Sequence, residues 1–535
     1  MTTETFWAGI TRKTAERYIK NVVVVDNEAY IRVPKGPLGE HTLDVRTLAK
    51  HFAERNILCS TLAPSKEDFL DPAVADAVKL VLASDVAILD WQLDDRKGKD
   101  PSFPCKEIIR IVLERDSQMG NPLRLIVIYT AENPSDDLLV ELEKHLSGVS
   151  HERLKETFGL QVNNLHIVIH KKQFPSGSRE LDPAGAEPAT GLSEDKEERV
   201  DLTGLMPQGV GVGIEDLPAV IIKHFAELAN GILPTVTLNA VSAIRENAGT
   251  LTGIFSKDLD PAFVYHTAII PDSVDGSHFL IEQIKEELGA ALEIDADIQQ
   301  CFEPENLAAW FESTNPDYYS PCDTDTKLTA DQFNRFINEN SPGKVKIPED
   351  DSRNRINIYQ DSAKIKKLSC ITSFKRESFS PTRSKRPRYV PVLTQGTVLS
   401  CTIKKKNTYW LCLIPKCDSV RIDSSTLGVP LLRLNIDIDK PHMCCNFNEV
   451  VSLVIPKKVW KNIEIKKFNV DTQKHRIFAV PQDGNFVFRT SEIDHIWIGD
   501  LKDATLLSTL QRIFPHMTRL GVDEFEWLRL NRDGK

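Results

Sequence analysis

Residues 86–95 read VAILDWQLDD, an aliphatic run that ends abruptly at Asp90. Similar runs, rich in β-branched residues, occur on either side of it, at 21–25, 56–61, 125–129 and 165–169. Runs of this kind are typical of strands buried on both faces of a parallel sheet. Amphipathic stretches separate them, at 43–54, 73–83, 105–115 and 136–145. The pattern predicts a doubly wound α/β domain with a parallel five-stranded sheet and an extra helical turn within 150–160.

Composition divides the chain into five predicted regions. They are the α/β domain at 1–175, a linker or mobile loop at 176–213, a mainly helical domain at 214–340, a basic linker or arm at 341–388, and a small β-rich domain with terminal helices at 389–535. The loop is rich in Gly, Pro and charge, which disfavour regular structure. In the C-terminal region, strands are predicted at 396–403, 409–414, 419–422, 450–455, 476–480 and 486–490, and helices at 504–514 and 522–530.

Two stretches of the predicted helical domain repeat apolar residues at helical spacing, which predicts stripes that face a core. The stripes consist of Leu217, Val220, Ile221, His224, Phe225 and Leu228 in the first stretch, and of Phe279, Ile281, Ile284, Leu288 and Leu292 in the second.

The bulk composition indicates a globular protein outside the membrane. Of its 535 residues, 41% are hydrophobic and 27% are charged. Because the chain has no apolar run of about 20 residues and no secretory signal, we expect a cytoplasmic location. The total net charge is -11, yet residues 353–421 contain sixteen Lys or Arg against three Asp or Glu.

Reactive side chains follow four of the predicted strands. Asp26 comes after the first, Asp90 after the third, Thr130 after the fourth, and Lys171 and Lys172 after the fifth. Since ligands bind beyond the carboxyl ends of parallel strands, these groups should converge on one pocket. A carboxylate there could accept a phosphoryl group, with its charge neutralised by a hard cation such as Mg²⁺. We expect Asp26, Asp90 and a backbone carbonyl near Gln92 to hold that cation.

Four motifs make residues 20–175 resemble a response-regulator receiver domain of the flavodoxin-like fold. They are VVVVDNEAY (22–30), ILDWQL (88–93), IVIYTAE (126–132) and VIHKKQF (168–174).

The resemblance implies that Asp90 is the phosphoacceptor, Asp26 a metal ligand and Thr130 the switch hydroxyl. It favours Lys172 as the phosphate-sensing lysine, with Lys171 as the alternative. Asn27 replaces the second carboxylate of the family's acidic pair, although its amide oxygen can still coordinate a cation.

The resemblance also implies roles for two loop residues and for partner proteins. Gln92 and Glu132 stand at the positions that tune phosphate lifetime in this family, where polar side chains can orient a hydrolytic water and allow autodephosphorylation, unless they are simply solvated. The donor would be a sensor histidine kinase. The whole-chain layout is similar to receiver proteins of Detocs-type bacterial antiphage systems, in which a receiver without a toxic effector buffers phosphoryl groups meant for a second receiver–effector protein.

An alternative function is phosphorylation-controlled binding of nucleic acid by the basic segment 353–421. Its cations could neutralise phosphates while its aromatic residues stack on bases. These aromatic residues are Tyr359, Phe374, Phe379, Tyr389, Tyr409 and Trp410. No P-loop, zinc-protease or serine-hydrolase motif occurs in the sequence, so we do not expect an enzyme.

Overall fold

A computed structural model of the protein describes residues 3–30, 42–64, 72–173, 211–314, 319–327, 362–375 and 390–518, with short gaps at 95, 97, 156, 270–272, 321–322, 404–405, 421, 438–441 and 448. The chain divides into two compact units. The first consists of residues 1–316 and 328–346, and the second of 317–327 and 347–535.

The first unit combines a sheet with helices on both of its faces. Its strands are β1 (Asn21–Val25), β2 (Ala29–Tyr30), β3 (Leu43–Asp44), β4 (Leu58–Leu62), β5 (Val86–Leu89), β6 (Arg124–Thr130), β7 (Glu152–Arg153), β8 (Gly159–Val162) and β9 (Leu165–Lys171). Its helices are α1 (Thr3–Tyr18), α2 (Val45–Ala53), α3 (Pro72–Ala83), α4 (Phe103–Gln118), α5 (Asp136–His145), α6 (Leu217–Leu228), α7 (Ile232–Ile254), α8 (Asp260–Ile269), α9 (Ser273–Glu293), α10 (Ala296–Gln300) and α11 (Pro304–Thr314).

Among the described residues, the main sheet has seven strands in the order β4-β1-β5-β6-β9-β8-β7. The first five run parallel, which confirms the predicted fold class, and β8 and β7 are added antiparallel at one edge. The five predicted parallel strands are thus present, the two antiparallel strands were not predicted, and the helical turn predicted within 150–160 is wrong, because β7 and the start of β8 occupy that stretch. A tight Asn163-Asn164 turn, with Asn163 at a φ of 54°, folds β8 back onto β9.

Each face of the parallel sheet has its own core. Helices α3, α4 and α5 cover one face, and α1, α2 and α6 cover the other. The predicted stripe of α6 is confirmed, since Leu217, Ile221 and Phe225 are fully buried. Helix α1, which was not predicted from the sequence, buries Trp7 and Ala15.

The predicted core stripe of α9 is wrong in part. Phe279 is 43% and Ile281 is 55% exposed, while Ile284, Leu288 and Leu292 are half-buried. The physical reason lies in the packing, because the contacts of α9 are made with α7, α8 and α10 rather than with the sheet.

The second unit is β-rich, as predicted. Its strands are β10 (Tyr319–Ser320), β11 (Asp323–Lys327), β12 (Thr397–Ile403), β13 (Lys406–Cys412), β14 (Thr426–Ile436), β15 (Met443–Phe447), β16 (Glu449–Val454), β17 (Ile463–Asn469), β18 (Val480–Gln482), β19 (Asn485–Phe488) and β20 (His495–Asp500). Its helices are α12 (Ser362–Ser373) and α13 (Asp503–Thr518).

Within the described part of this unit, nine strands form one antiparallel sheet. The order is β15-β16-β14-β13-β12-β20-β19-β18, and β17 pairs with β14. The predicted hairpin is confirmed, because β12 and β13 pair up to Ile403 opposite Lys406. Two predicted strands are wrong: the described residues of 419–422 lie at or after the end of a 3₁₀ turn, Lys416–Ser419, without joining a strand, and the stretch before Val480 makes isolated bridges. The predicted helix at 522–530 lies outside the described residues.

None of the helices in the described ranges combines the length and the hydropathy that a membrane crossing requires.

Candidate functional site

The carboxyl ends of four parallel strands carry the polar side chains that the sequence analysis singled out. Asp26 follows β1, and Asp90 follows β5, where its N–H donates to Val25 O at 2.9 Å. Lys172 follows β9, and its N–H donates to the carbonyl of Thr130, the last residue of β6, at 2.7 Å. Backbone hydrogen bonds between neighbouring strands therefore bring these residues to one edge of the sheet.

The Lys172 ammonium lies between two carboxylates. Its Nζ is 2.8 Å from Asp26 Oδ2 and 3.3 Å from Asp90 Oδ2, and all three side chains are 2% exposed. Burial raises the pKa of Asp90 to about 7, although the charge of Lys172 opposes the shift. Burial alone would lower the pKa of Lys172, but the two carboxylates outweigh it and raise that pKa. Two acids thus share one buried cation, which leaves the cluster short of positive charge.

Two buried side-chain oxygens, each on a residue just beyond β1 or β5, have no hydrogen-bond partner among the described residues. Asp90 Oδ1 and Asn27 Oδ1 make no hydrogen bond to the residues that the structure describes. Asp26 Oδ1, by contrast, accepts from the N–H of Glu28 at 2.8 Å. Since buried polar atoms are normally paired, unpartnered acceptors beside an excess of negative charge fit a hard cation such as Mg²⁺.

The candidate cation site around Asp26 and Asp90 offers few carboxylate ligands. The described residues contain no cluster of three or more His, Cys, Asp or Glu side chains suited to a metal ion. A cation here would depend on two carboxylates supplemented by amide and backbone oxygens. This donor set suits Mg²⁺, which commonly binds through one or two carboxylates and keeps several waters.

The loops after β5 and β6 meet above the strand ends. Gln92 Nε2 donates to Glu132 Oε1, joining the two positions that the sequence analysis associated with phosphate lifetime. Thr130 is buried, and its Oγ1 accepts from the N–H of Glu132 at 3.2 Å. Because that bond uses a lone pair of the hydroxyl oxygen, the hydroxyl hydrogen is left to donate elsewhere.

The two candidate lysines occupy different places. The Lys172 side chain lies in the buried cluster, whereas Lys171 points away from it and donates from Nζ to Asn133 Oδ1 at 2.6 Å. Successive side chains of an extended chain point to opposite sides, which agrees with the different partners of the two lysines.

Residues 18–174 match a family model described as a response receiver domain. This segment is a response receiver domain. The match covers less than a third of the chain, and neither the curated proteins nor the solved structures include a match. The narrower likeness to Detocs-type proteins stays a prediction.

The fold of the receiver domain extends beyond the matched segment. Helix α6 lies on the face of the sheet shared with α1 and α2, and its Phe225 stacks on Tyr18 of α1 with ring centroids 5.4 Å apart. Composition placed α6 in a separate helical domain, because the long polar stretch at 176–213 precedes it. The packing instead shows α6 covering the receiver sheet.

Two residues at the receiver site escaped the sequence analysis. Tyr129 is fully buried beside Thr130, and its hydroxyl donates to Val212 O at 2.8 Å. Val212 belongs to a Gly-rich stretch that was predicted to be a flexible loop. A polar hydroxyl in an otherwise aliphatic strand was the available signal for Tyr129, because a buried Tyr normally finds a hydrogen-bond partner.

Proposed function

We propose that this protein is a phospho-accepting response regulator in which Asp90 receives a phosphoryl group from a sensor histidine kinase. The observation that carries the proposal is the Lys172 ammonium held between the carboxylates of Asp26 and Asp90. A receiver domain implies a phosphoacceptor role. In receiver domains generally, the donor is a histidine kinase.

Asp90 is the nucleophile in this proposal. Its Oδ1 is unpartnered, whereas its Oδ2 faces Lys172, so one oxygen is available to attack phosphorus. The new O–P bond forms as the N–P bond of the phosphohistidine breaks, and the leaving imidazole nitrogen keeps the electron pair. The product is a mixed anhydride of the carboxylate and phosphate.

In this proposal, a bound cation and Lys172 together neutralise the negative charge of the phosphoryl group. Mg²⁺, when bound, neutralises phosphoryl charge, and Asp26, Asp90, the Asn27 amide oxygen and the Gln92 carbonyl are the groups that would hold it. Once Asp90 carries a phosphoryl group, the Lys172 ammonium can pair with the negatively charged phosphoryl oxygens in place of the two carboxylates. We assign the phosphate-sensing role to Lys172 rather than to Lys171.

Thr130 and the Gln92–Glu132 pair act after transfer. The Thr130 hydroxyl can donate to the attached phosphoryl group, which draws the loop after β6 towards Asp90. Gln92 and Glu132 satisfy each other across the site, and this bond restrains both side chains from orienting a hydrolytic water. We therefore propose that the pair prolongs the phosphorylated state.

The test is phosphorylation by a small acyl-phosphate donor with Mg²⁺, followed by intact mass measurement. The wild type should gain one phosphoryl group, and Asp90→Asn should gain none. The matched control is Asp137→Asn, at an exposed carboxylate of α5, which should behave as the wild type does. Equal labelling of wild type and Asp90→Asn would reject Asp90 as the acceptor.

The biological setting that we propose is bacterial antiphage signalling in the cytoplasm, with this chain as a buffer that takes phosphoryl groups from the kinase. Support comes from the layout, a receiver followed by helical and β-rich regions without a recognised effector motif. With a kinase and a second receiver–effector protein, the wild-type chain should lower phosphorylation of that second protein, and Asp90→Asn should not. Equal phosphorylation in both mixtures would reject the buffering role.

The nucleic-acid alternative loses part of its basis. Three of its aromatic residues lie in the described structure, and all three are buried in core: Phe374, Tyr409 and Trp410. Buried rings cannot stack on bases. The other three lie outside the described residues.

A further inference from the structure

Residues 211–213 run alongside the end of β9, next to Lys172. The N–H of Val212 donates to Lys171 O at 2.8 Å, and the N–H of Gln173 donates to Val212 O at 3.0 Å. The two peptide groups that flank Lys172 are therefore both bonded to Val212. On its other side, Lys172 is bonded through its own N–H to Thr130 O.

Tyr129 provides a further hydrogen bond that holds Val212 beside β9. Its hydroxyl donates to the same Val212 carbonyl at 2.8 Å, and its ring centroid is 5.9 Å from the Lys172 Nζ. Both Tyr129 and Val212 are 1% exposed, so neither bond competes with bulk water. We call this arrangement of Tyr129, Gln173 and Val212 the clasp.

Packing at the clasp is close. A Cβ atom added to Gly211 would lie 2.9 Å from the Cβ of Gln173, nearer than real side chains come. Glycine at 211 thus lets the returning chain approach β9 closely enough for the ladder bonds.

The clasp leads directly into α6. The N–H groups of Asp216 and Leu217 both donate to Gly213 O, so the turn that leads into α6 begins one residue after Val212. The helix then packs in the same core as Tyr129 and Val212, with Leu217 and Ile221 fully buried. A shift of Val212 would consequently move the start of α6 against its own core.

We infer that the clasp couples the state of Lys172 to α6, so that phosphorylation of Asp90 is transmitted to the helices through Tyr129 and Val212. The inference rests on the proposed function. Phosphorylation replaces the charged Asp90 carboxylate, one of the two that Lys172 now faces, by an acyl phosphate, so the Lys172 ammonium shifts towards the phosphoryl oxygens. A shift of Lys172 acts most directly on the hydrogen bonds of the two peptide groups beside it, and both of these groups are bonded to Val212.

Amide hydrogen exchange of residues 211–228 tests the coupling. In the wild type, an acyl-phosphate donor with Mg²⁺ should change the exchange rate of this segment severalfold. Tyr129→Phe should take up the phosphoryl group to the same extent, yet show little or none of that change. Tyr265→Phe, at a residue that is 76% exposed on α8, is the control and should respond as the wild type does.

The possible results distinguish a failure of the coupling from a failure of the proposed function. A phosphorylated wild type with unchanged exchange at 211–228, or a Tyr129→Phe variant with the full change, overturns the coupling and leaves the phosphoacceptor intact. If the wild type gains no phosphoryl mass, both the coupling and the phosphoacceptor assignment are rejected. In the absence of any donor, Lys172→Met should also alter exchange at 211–216, and unaltered exchange there would count against the clasp.

Discussion

The buried cluster of Lys172 with two carboxylates can be perturbed by one substitution, Lys172→Met. Methionine keeps the length of the side chain and removes its charge. Asp26 and Asp90 would then face each other without the cation that now lies 2.8 and 3.3 Å from them. All three side chains are 2% exposed, so water cannot replace the missing partner.

Breaking a buried ion pair by removing one partner typically costs ~3–5 kcal/mol. We expect a loss in that range at pH 8, above the raised pKa of Asp90 in the wild type. Burial raises the pKa of Asp90 to about 7, above its value in the unfolded chain, so the folded state disfavours the ionised form and binds a proton below that pH. Protonation of Asp90 removes part of the repulsion between Asp26 and Asp90. The loss in the free energy of unfolding caused by Lys172→Met should therefore be smaller at pH 5.5 than at pH 8.

Urea unfolding of wild type and Lys172→Met, each with and without Mg²⁺, measures these differences. Mg²⁺ should stabilise the variant more than the wild type, because it supplies the charge that the lysine no longer does. Lys171→Met is the matched control: its Nζ bonds to Asn133 outside the cluster, and its loss should cost about 0.5 kcal/mol or less. Equal losses for the two variants, or a pH-independent loss for Lys172→Met, would refute this reasoning.

Three further predictions follow from the receiver site and its packing. Because protonation of Asp90 competes with Mg²⁺, the apparent Mg²⁺ affinity should fall ~10-fold from pH 8 to pH 6 in calorimetric titrations; a flat profile, or the same profile in Asp90→Asn, would contradict it. Gln92→Ala frees Glu132 and should shorten the half-life of the phosphorylated protein severalfold after EDTA is added, whereas an unchanged half-life would remove the pair from this role. Phe225→Ala should lower the free energy of unfolding by ~3–5 kcal/mol in urea, because a fully buried ring on the receiver sheet is lost, and a cost below 1 kcal/mol would mean that α6 is not part of that core.

The parallel sheet could be predicted because its signals are local. Strands buried on both faces need unbroken aliphatic runs, and the predicted run at 86–89 coincides with β5. The site followed from the same pattern, since a polar residue directly after a buried strand must lie at the sheet edge. The sequence favours Lys172 over Lys171 only through the family resemblance, whereas the structure gives the two ammonium groups different partners.

What could not be predicted depends on contacts between residues far apart in the sequence. Helix α6 was recognised as amphipathic, but its stripe does not reveal which surface it covers, and a polar stretch separates it from β9. In the second unit, α12 lies within a stretch whose composition predicted a basic linker. Cys370 of this helix and Phe374 just beyond its end are buried, whereas the apolar residues Leu368 and Ile371 are exposed.

The same limit applies to Val212. Glycines flank it, and Gly-rich stretches usually indicate flexible loops. Its position beside β9 is fixed by hydrogen bonds to Lys171, Gln173 and Tyr129, which lie 41, 39 and 83 residues away in the sequence.

The most direct test of the phosphoacceptor assignment is chemical location of the phosphoryl group. Borohydride reduces the acyl phosphate of an aspartate to homoserine, which peptide mass spectrometry can place in the sequence. After incubation with an acyl-phosphate donor and Mg²⁺, we predict homoserine at residue 90 in the peptide that contains Trp91 and Gln92. Homoserine at another aspartate, or unmodified Asp90 in protein that has gained phosphoryl mass, would contradict the account.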